Sequence, residues 1–303
     1  MTIVAPTIPA PAPSSVSTAV PRSVLLEFTS QQPLGAVSFL VICVMLFAGV
    51  FSGLVSPYDP LQIDFGAILA PPSFEHWCGT DAFGRDILSR IIYGSRTALV
   101  IGFTSSFVGS TIGAILGIAS AYFGGKADDW IQRFMDILLA FPIIVLALVV
   151  VAALRTGLVF GIDINLIVAI AIPIVPRVCR VVRAAALTVR VMPYIDAARA
   201  AGYSNSRIIF RHMAPNVVAP FLIMFTAFVA QAILLEASLS FLGLGVTEPT
   251  PAWGLMLSGN AADFYRQAPW MILFPGIAIS LAVFAFNLFG DSLRDYLDPR
   301  FKT

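Results

Sequence analysis

Charge is what this sequence has least of. Only 12% of its 303 residues are Asp, Glu, Lys or Arg, whereas 58% are hydrophobic and the mean hydropathy is +0.89. Soluble domains carry roughly twice that share of charge, so a soluble globular protein is excluded and a polytopic membrane protein is implied. The formal net charge of +1 steers the chain to no nucleic acid or other strongly acidic partner. Histidine is almost absent. His76 and His212 fall on opposite sides of the topology derived below, so they share no site. His76 and Cys78 are isolated donors with no second pair, the usual mark of ordinary loop residues rather than metal ligands. Cys43 in an apolar run, Cys78 in a polar loop and Cys179 at a membrane edge share no compartment, which predicts no disulfide. There is no G-x-x-x-x-G-K-[ST] loop, no H-E-x-x-H and no G-x-S-x-G, so the chain is expected to hydrolyse neither ATP nor a peptide by those routes. Nor does it carry the paired carboxylates or intramembrane His cluster that a membrane-embedded enzyme would need.

What it has instead is uncharged apolar runs of the length a bilayer core of about 30 Å requires, roughly 20 residues. Five stand out, at Leu34 to Val55, Thr97 to Phe123, Ile137 to Leu154, Val217 to Leu235 and Gln267 to Gly290. The first alone holds 13 Leu, Ile, Val and Phe residues, worth roughly 4 to 8 kcal/mol of insertion. A sixth is weaker. Only Ile164 to Pro176 is uncharged there, it contains Pro173 and Pro176, and it must extend into Arg177, Arg180 and Arg183, whose spacing lets them snorkel from one side. The expected architecture is all-α with six spans. Residues 1–33 contain six prolines and fit neither a cleaved signal peptide nor a folded domain, so a disordered cytoplasmic tail is expected ahead of a membrane domain at 34–303.

Lys and Arg fix the orientation. With the N-terminus inside, Arg22, Lys126, Arg133, Arg177, Arg180, Arg183, Arg190, Arg199, Arg207, Arg211, Arg294, Arg300 and Lys302 are cytoplasmic, leaving Arg85, Arg90, Arg96, Arg155 and Arg266 outside. Such asymmetry places both termini in the cytoplasm.

The Arg-rich inner loop, about 190–216, reads as helix, Gly elbow, helix. Pro193 suits a first turn, Asp196 meets the positive helix end, Ala197, Ala198, Ala200 and Ala201 favour helix, and Gly202 stops it. Ser204 or Ser206 begins a second helix through Ile208, Ile209 and Phe210, an apolar anchor for the membrane domain, and Pro215 ends it. The loop's four arginines, with Arg177, Arg180 and Arg183 just before it, make seven that only Asp196 opposes. Two readings fit such a segment, docking into a partner's groove and lying amphipathically on the inner leaflet.

Elsewhere, Gly109, Gly113, Gly117 and Ala121 make one smooth helix face, for packing within the chain or against a second subunit. Glu236, set in an apolar run, is either a substrate contact or part of a structural network with Ser238 and Ser240. Asn287, Pro142 and Pro173 are candidate pore or kink residues. Asp86 and Arg90, with Ile87, Leu88, Ile91 and Ile92, form an amphipathic stretch suited to the membrane surface, either a structural lead into span two or a contact for an extracytoplasmic protein partner. Trp253 and Trp270 suit the outer interfacial belt, and Asp291, Arg294, Asp295, Asp298 and Arg300 an ion-paired end to span six.

Together these residues carry a resemblance. Asp196-Ala197-Ala198, Gly202 and His212-Met213-Ala214-Pro215-Asn216 look like the EAA loop of ABC importer membrane subunits. Four further stretches resemble the C-type permeases of dipeptide, oligopeptide and nickel importers: His76 to Asp86 with Ser89-Arg90, Glu236 to Gly245, Pro249 to Gly254, and Gly290 to Arg300. The likeness runs from about residue 20 to the C-terminus. It departs at Asp196, where Glu is usual, and at Ala214, where Leu is usual. The resemblance implies a type I ABC importer permease fold in the bacterial inner membrane. Asp196, Ala197, Ala198, Arg199, Ala201 and Gly202 would dock on a cytosolic ATPase, with His212, Pro215 and Asn216 anchoring the loop and Glu236 and Asn287 as pore or gate candidates. It further implies a second homologous permease subunit, one or two ATPase subunits carrying ATP and Mg, an extracytoplasmic binding protein, and a peptide, nickel or other small-solute cargo. No cofactor and no nucleic acid is expected on this chain.

Overall fold

The computed structural model describes Thr29 and residues 32–154, 158–159 and 162–297. The expected disordered tail at 1–33 lies almost wholly outside the described residues, as do Arg22, Arg155, Asp298, Arg300 and Lys302. Among the described residues, five helices are long and apolar enough to cross a membrane, or six if one bent pair counts as a single span.

Helix α1 (Pro33–Val50) begins on a proline, whose missing N–H is an orphan in any first turn. Helix α2 (Ile87–Phe123) has 37 residues, a length of about 55 Å. Asp86 caps it, its Oδ2 accepting from the Ser89 N–H at 2.7 Å. The amphipathic stretch from Asp86 is therefore the lead into α2. It does not rest on the membrane surface, since Ile87 and Arg90 are each 1% exposed.

The expected third span is corrected. Helix α3 (Gly125–Leu139) and helix α4 (Ile143–Ala153) meet at 95°. Pro142 is the N-cap of α4 and can donate no backbone bond back to α3. The apolar run from Ile137 thus begins in the amphipathic α3, leaving α4 with 11 residues, about 17 Å. A two-residue hairpin, β1 (Leu158–Val159) and β2 (Ile162–Asp163), follows. The run thought weakest is a single helix, α5 (Ile164–Arg190), continuous through Pro173 and Pro176. Proline is tolerated in membrane helices whose neighbours satisfy the freed backbone groups, and both prolines are buried.

Short helices α6 (Pro193–Ala200) and α7 (Asn205–Ile208) form the Arg-rich loop. A π turn (Ile209–Met213) and a 3-10 turn (Ala214–Val217) lead into α8 (Val218–Phe241). A turn, α9 (Trp253–Met256), precedes α10 (Trp270–Leu297).

The α2–α5 pair is the spine of the molecule. A Cβ placed on Gly109, Gly113 or Gly117 would stand 2.6 to 2.7 Å from the carbonyl oxygens of Ala171, Val175 and Cys179. Only glycine lets the two backbones approach so closely. The small-residue stripe therefore packs within the chain. Helix α8 packs on α2 and α10, and α10 packs on α1. One core cluster runs from Ile118 and Tyr122 of α2 through Val182 and Ala186 of α5 to Ile195, Ala198, Ile208 and Met213 of the inner loop. Spine and loop thus share one continuous interior.

The outer end explains its motifs residue by residue. Gly79 and Gly84 have φ of +74° and +75°, which favour glycine. At Gly84 a Cβ would also overlap the Asp64 carbonyl oxygen at 1.9 Å. Asp81 accepts from the Phe83 and Arg85 N–H groups at 2.8 and 3.0 Å and from Arg85 Nε at 2.6 Å. His76 Nδ1 lies 2.9 Å from Asp86 Oδ1. Of the two expected interfacial tryptophans, Trp253 is corrected. Trp253 is 2% exposed and donates to the Ile91 carbonyl at 2.9 Å, its ring lying over Gly94, where a Cβ would come within 2.7 Å. Trp270 is half-buried and donates to the Thr80 carbonyl at 3.1 Å. Each ring is held by protein because its N–H found a backbone acceptor. At the other end of α10, Asp291, Arg294 and Asp295 are exposed and form no ion pair among the described residues, while Asp298 and Arg300 of the expected cluster lie outside them.

Candidate functional site

The inner loop is the first candidate. Asp196 lies in the first turn of α6 and pairs with Arg199 at 3.1 Å, both largely exposed. Ala197, Ala200 and Ala201 are exposed, while Ile195 and Ala198 turn into the core. Ala198 is therefore no part of the exposed face of α6. Gly202 has φ of +75° with open space where a Cβ would stand, so backbone conformation alone calls for glycine there. The Tyr203 N–H donates back to the Ala198 carbonyl at 3.1 Å, closing the helix end. Ser204 caps α7 by accepting from the Arg207 N–H. Of the expected apolar anchor, Ile208 is buried and Ile209 partly so, but Phe210 is 72% exposed because the π turn rotates it away from the core.

His212 stacks on Tyr203 at 5.9 Å, and the Arg207 guanidinium covers the other partner of that stack, 3.9 Å from the Tyr203 centroid. Asn216 Nδ2 donates to the His212 carbonyl at 2.7 Å, and Pro215 is exposed in the 3-10 turn.

Three contacts unforeseen from the sequence fasten this loop to the end of α2. The Arg190 Nη1 donates to the Ala121 carbonyl at 2.9 Å, where the negative helix end favours a cation. The Tyr122 hydroxyl donates to Asn205 Oδ1 at 2.7 Å. Arg199 stands 5.6 Å from the centroid of the same tyrosine. Nor do the arginines of α5 merely snorkel. Arg183 pairs with Asp128, Nε to Oδ1 at 2.7 Å, and Arg180 with Asp136. Arg177 donates to Gln231 Oε1 at 3.3 Å. Asp128 and Asp136 sit eight residues apart on α3, one helix face, and that spacing was the available signal.

The second candidate is a cavity of about 540 Å³ at the outer end. It lies among the first turns of α2 (Tyr93, Arg96, Thr97), the ends of α4 and β2 (Leu154, Asp163), Asn165 of α5 and the loop 243–251. That loop is pinned by built-in polar contacts. Glu236, fully buried, accepts from the Ser240 hydroxyl at 2.7 Å, and Ser240 Oγ in turn accepts from the Val246 N–H at 3.1 Å. The Thr97 hydroxyl donates to the Pro251 carbonyl at 2.9 Å. Glu248 receives Arg85 at 3.0 Å and Arg90 at 3.3 Å. Glu236 does not line the cavity, and its expected partner Ser238 instead donates to the Leu234 carbonyl. Asn287 is exposed on α10, away from both candidates.

Residues 109–303 match the family described as binding-protein-dependent transport system inner membrane component. The chain is 41% identical over 294 residues to the dipeptide transport system permease protein DppC of Alkalihalophilus pseudofirmus, covering 97% of this chain and 95% of that protein. It is 40% identical over 302 residues to the di/tripeptide transport system permease protein DppC of Pseudomonas aeruginosa, covering 96% and 97%. A glutathione transport system permease protein GsiD of Escherichia coli is 40% identical over 273 residues, covering 90% and 88%. In fold the chain is similar to an inward-facing structure of the MetNI methionine ABC transporter, with a TM-score of 0.51 at 17% identity over 69% of this chain and 96% of that one. The chain belongs to the inner-membrane permeases of binding-protein-dependent ABC importers, multi-pass transport components that are not themselves catalytic and that imply ATPase and binding-protein partners.

Proposed function

We propose that this chain imports dipeptides and other short peptides, forming half of a translocation pore with a second homologous permease subunit. The names of relatives about 40% identical over nearly the whole chain support peptide cargo. The observation that carries the coupling half of the reading is the seating of α6. Its inward face, Ile195 and Ala198, joins the core of the spine, while Ala197, Ala200 and Ala201 remain a smooth outward face. Such a face admits close approach by a groove on an ATPase, and a push on it is transmitted through packed side chains to α2 and α5 rather than absorbed by a loose loop. ATP and Mg belong to the ATPase subunits, one or two in number. ATP binding drives the cycle to the extent that it favours the closed ATPase pair, since only differential affinity shifts a conformational equilibrium. An extracytoplasmic binding protein delivers the peptide to the outer end.

Co-purification of the tagged chain with its partners, reconstitution in liposomes and measurement of dialanine uptake test this reading. ATP-dependent uptake that requires the binding protein is expected. A reconstituted complex that hydrolyses ATP but moves nickel or another solute, and no peptide, would overturn the peptide assignment.

A further inference from the structure

The outer cavity contains two charges of opposite sign that the fold leaves unmatched. Arg96 makes no hydrogen bond or ion pair among the described residues, and Asp163 accepts only the Asn165 N–H, at 2.9 Å. This contrasts with the cluster of charges around the start of α2. Arg85, Arg90, Asp81, Asp86 and Glu248 are all tied to one another or to the backbone. Charges near the membrane are costly and are found where they meet a partner, water or a ligand. Here they line one half-open cavity together with an apolar wall of Val100, Ile101, Val151 and Leu154. Its volume of about 540 Å³ falls among small-molecule sites, which run from about 300 to 1,000 Å³. The opposite wall is loop 243–251, held in place by Ser240, Thr97 and the Glu248 pairs, so the space is built and not a gap between mobile strands.

We propose that this cavity binds a small zwitterion of the free short-peptide class, its carboxylate held by Arg96 and its ammonium by Asp163, with an apolar side chain against the α2 and α4 wall. The assignment rests on the peptide-import reading and adds to it a cargo site within a single permease chain. A singly charged ligand would leave one of the two protein charges unmatched, and a neutral one would leave both. A guanidinium meets a carboxylate through two parallel charge-assisted bonds. The backbone of Gly243 and Gly245 is close at hand for the peptide's own amide groups. A cargo site must also release what it holds, so weak binding in the millimolar range fits the role.

The test uses the assembled transporter in proteoliposomes, with Cys43, Cys78 and Cys179 replaced by serine and a reporter thiol introduced by Thr247→Cys on the exposed cavity rim. Maleimide alkylation of that thiol is timed in the presence of dialanine, N-acetyl-dialanine, dialanine amide or inorganic phosphate. Dialanine is expected to slow alkylation several-fold. Each blocked peptide should need about tenfold more for the same protection, the worth of about one charge-assisted contact. Arg96→Gln should erase the preference for the free carboxylate and Asp163→Asn the preference for the free amine. Asn keeps the helix cap at 163, and co-purification of the ATPase checks that both variants assemble. Blocked peptides protecting as well as dialanine, phosphate protecting equally, or no protection at all would each overturn the site. Dialanine uptake by the same vesicles separates the two ideas. Uptake without protection removes the site and leaves peptide import standing, whereas protection without uptake removes peptide import and leaves the site.

Discussion

Tyr122→Phe isolates the contact between the inner loop and the spine. The ring stays, and with it the burial of Tyr122, 8% exposed, and the Arg199 guanidinium above it. What is lost is the 2.7 Å hydrogen bond to Asn205 Oδ1. A hydrogen bond contributes about 0.5 to 1.5 kcal/mol net. Asn205 is exposed, so water takes the place of the lost donor and the cost falls in the lower part of that range, about 0.5 to 1 kcal/mol. That corresponds to a loop-opening equilibrium shifted about two- to fivefold. Hydrogen exchange of the assembled complex reads it directly. The Ala201 and Tyr203 amides, which donate to Ala197 and Ala198, should exchange about two- to fivefold faster, with α1 and α10 unchanged. Import per ATP hydrolysed should fall while ATP hydrolysis itself persists. Unchanged exchange at these amides, or equal acceleration in α1, would refute the idea that this tyrosine clasps the loop to α2.

Gly113→Val should prevent stable assembly of the spine. A Cβ there already stands 2.7 Å from the Val175 carbonyl oxygen and 2.8 Å from Val178 Cβ, and overpacking of this kind costs about 1 to 3 kcal/mol, seen as a lowered Tm of the detergent-purified complex. Gly202→Pro, unable to adopt φ of +75°, should leave membrane insertion intact and uncouple ATP hydrolysis from uptake; unchanged uptake would reject a docking role for the loop. Ser240→Ala removes the acceptor of the Val246 N–H and the donor to Glu236, and should speed protease cleavage in loop 243–251 without changing cleavage in the inner loop. The Cys78 thiol is pushed up first by burial and then by Asp86. Thiolate is therefore scarcer than in a free cysteine at any pH below its pKa, and maleimide labelling of Cys78 should be slow at pH 7 and rise with pH beyond the point where glutathione levels off.

The inner loop was legible because its signals are local. Proline at a first turn, alanines, a glycine at the helix end and a serine cap act through the backbone within a few residues. The glycine stripe was legible as a packing face, though its partner, α5, followed only from the fold. What escaped was set by distant neighbours. Trp253 has the composition of an interfacial anchor, yet Gly94, far away in sequence, offers it a seat inside protein. Pro142 and Pro173 look alike in hydropathy. Pro142 lies where an amphipathic helix meets an apolar one and becomes a 95° corner, whereas Pro173 lies within a helix packed along α2 and is carried through. Which alanine of α6 turns inward is not readable either, because alanines carry no amphipathic signal of their own, and only the fold buries Ala198. Arg96 and Asp163 are 67 positions apart, and no spacing rule joins them.

The central claim, that the outward face of α6 meets an ATPase while its inward face grips the spine, is tested most directly by paired cross-linking. Single thiols introduced by Ala197→Cys, Ala201→Cys and Ala198→Cys, in a background without Cys43, Cys78 and Cys179, are treated with a short bifunctional maleimide in native membranes. The account predicts nucleotide-sensitive cross-links to an ATPase subunit from positions 197 and 201 and none from 198, which is 5% exposed. Equal cross-linking from all three, or a chain that purifies as a lone homo-oligomer with no ATPase cross-linked from any of them, would contradict it.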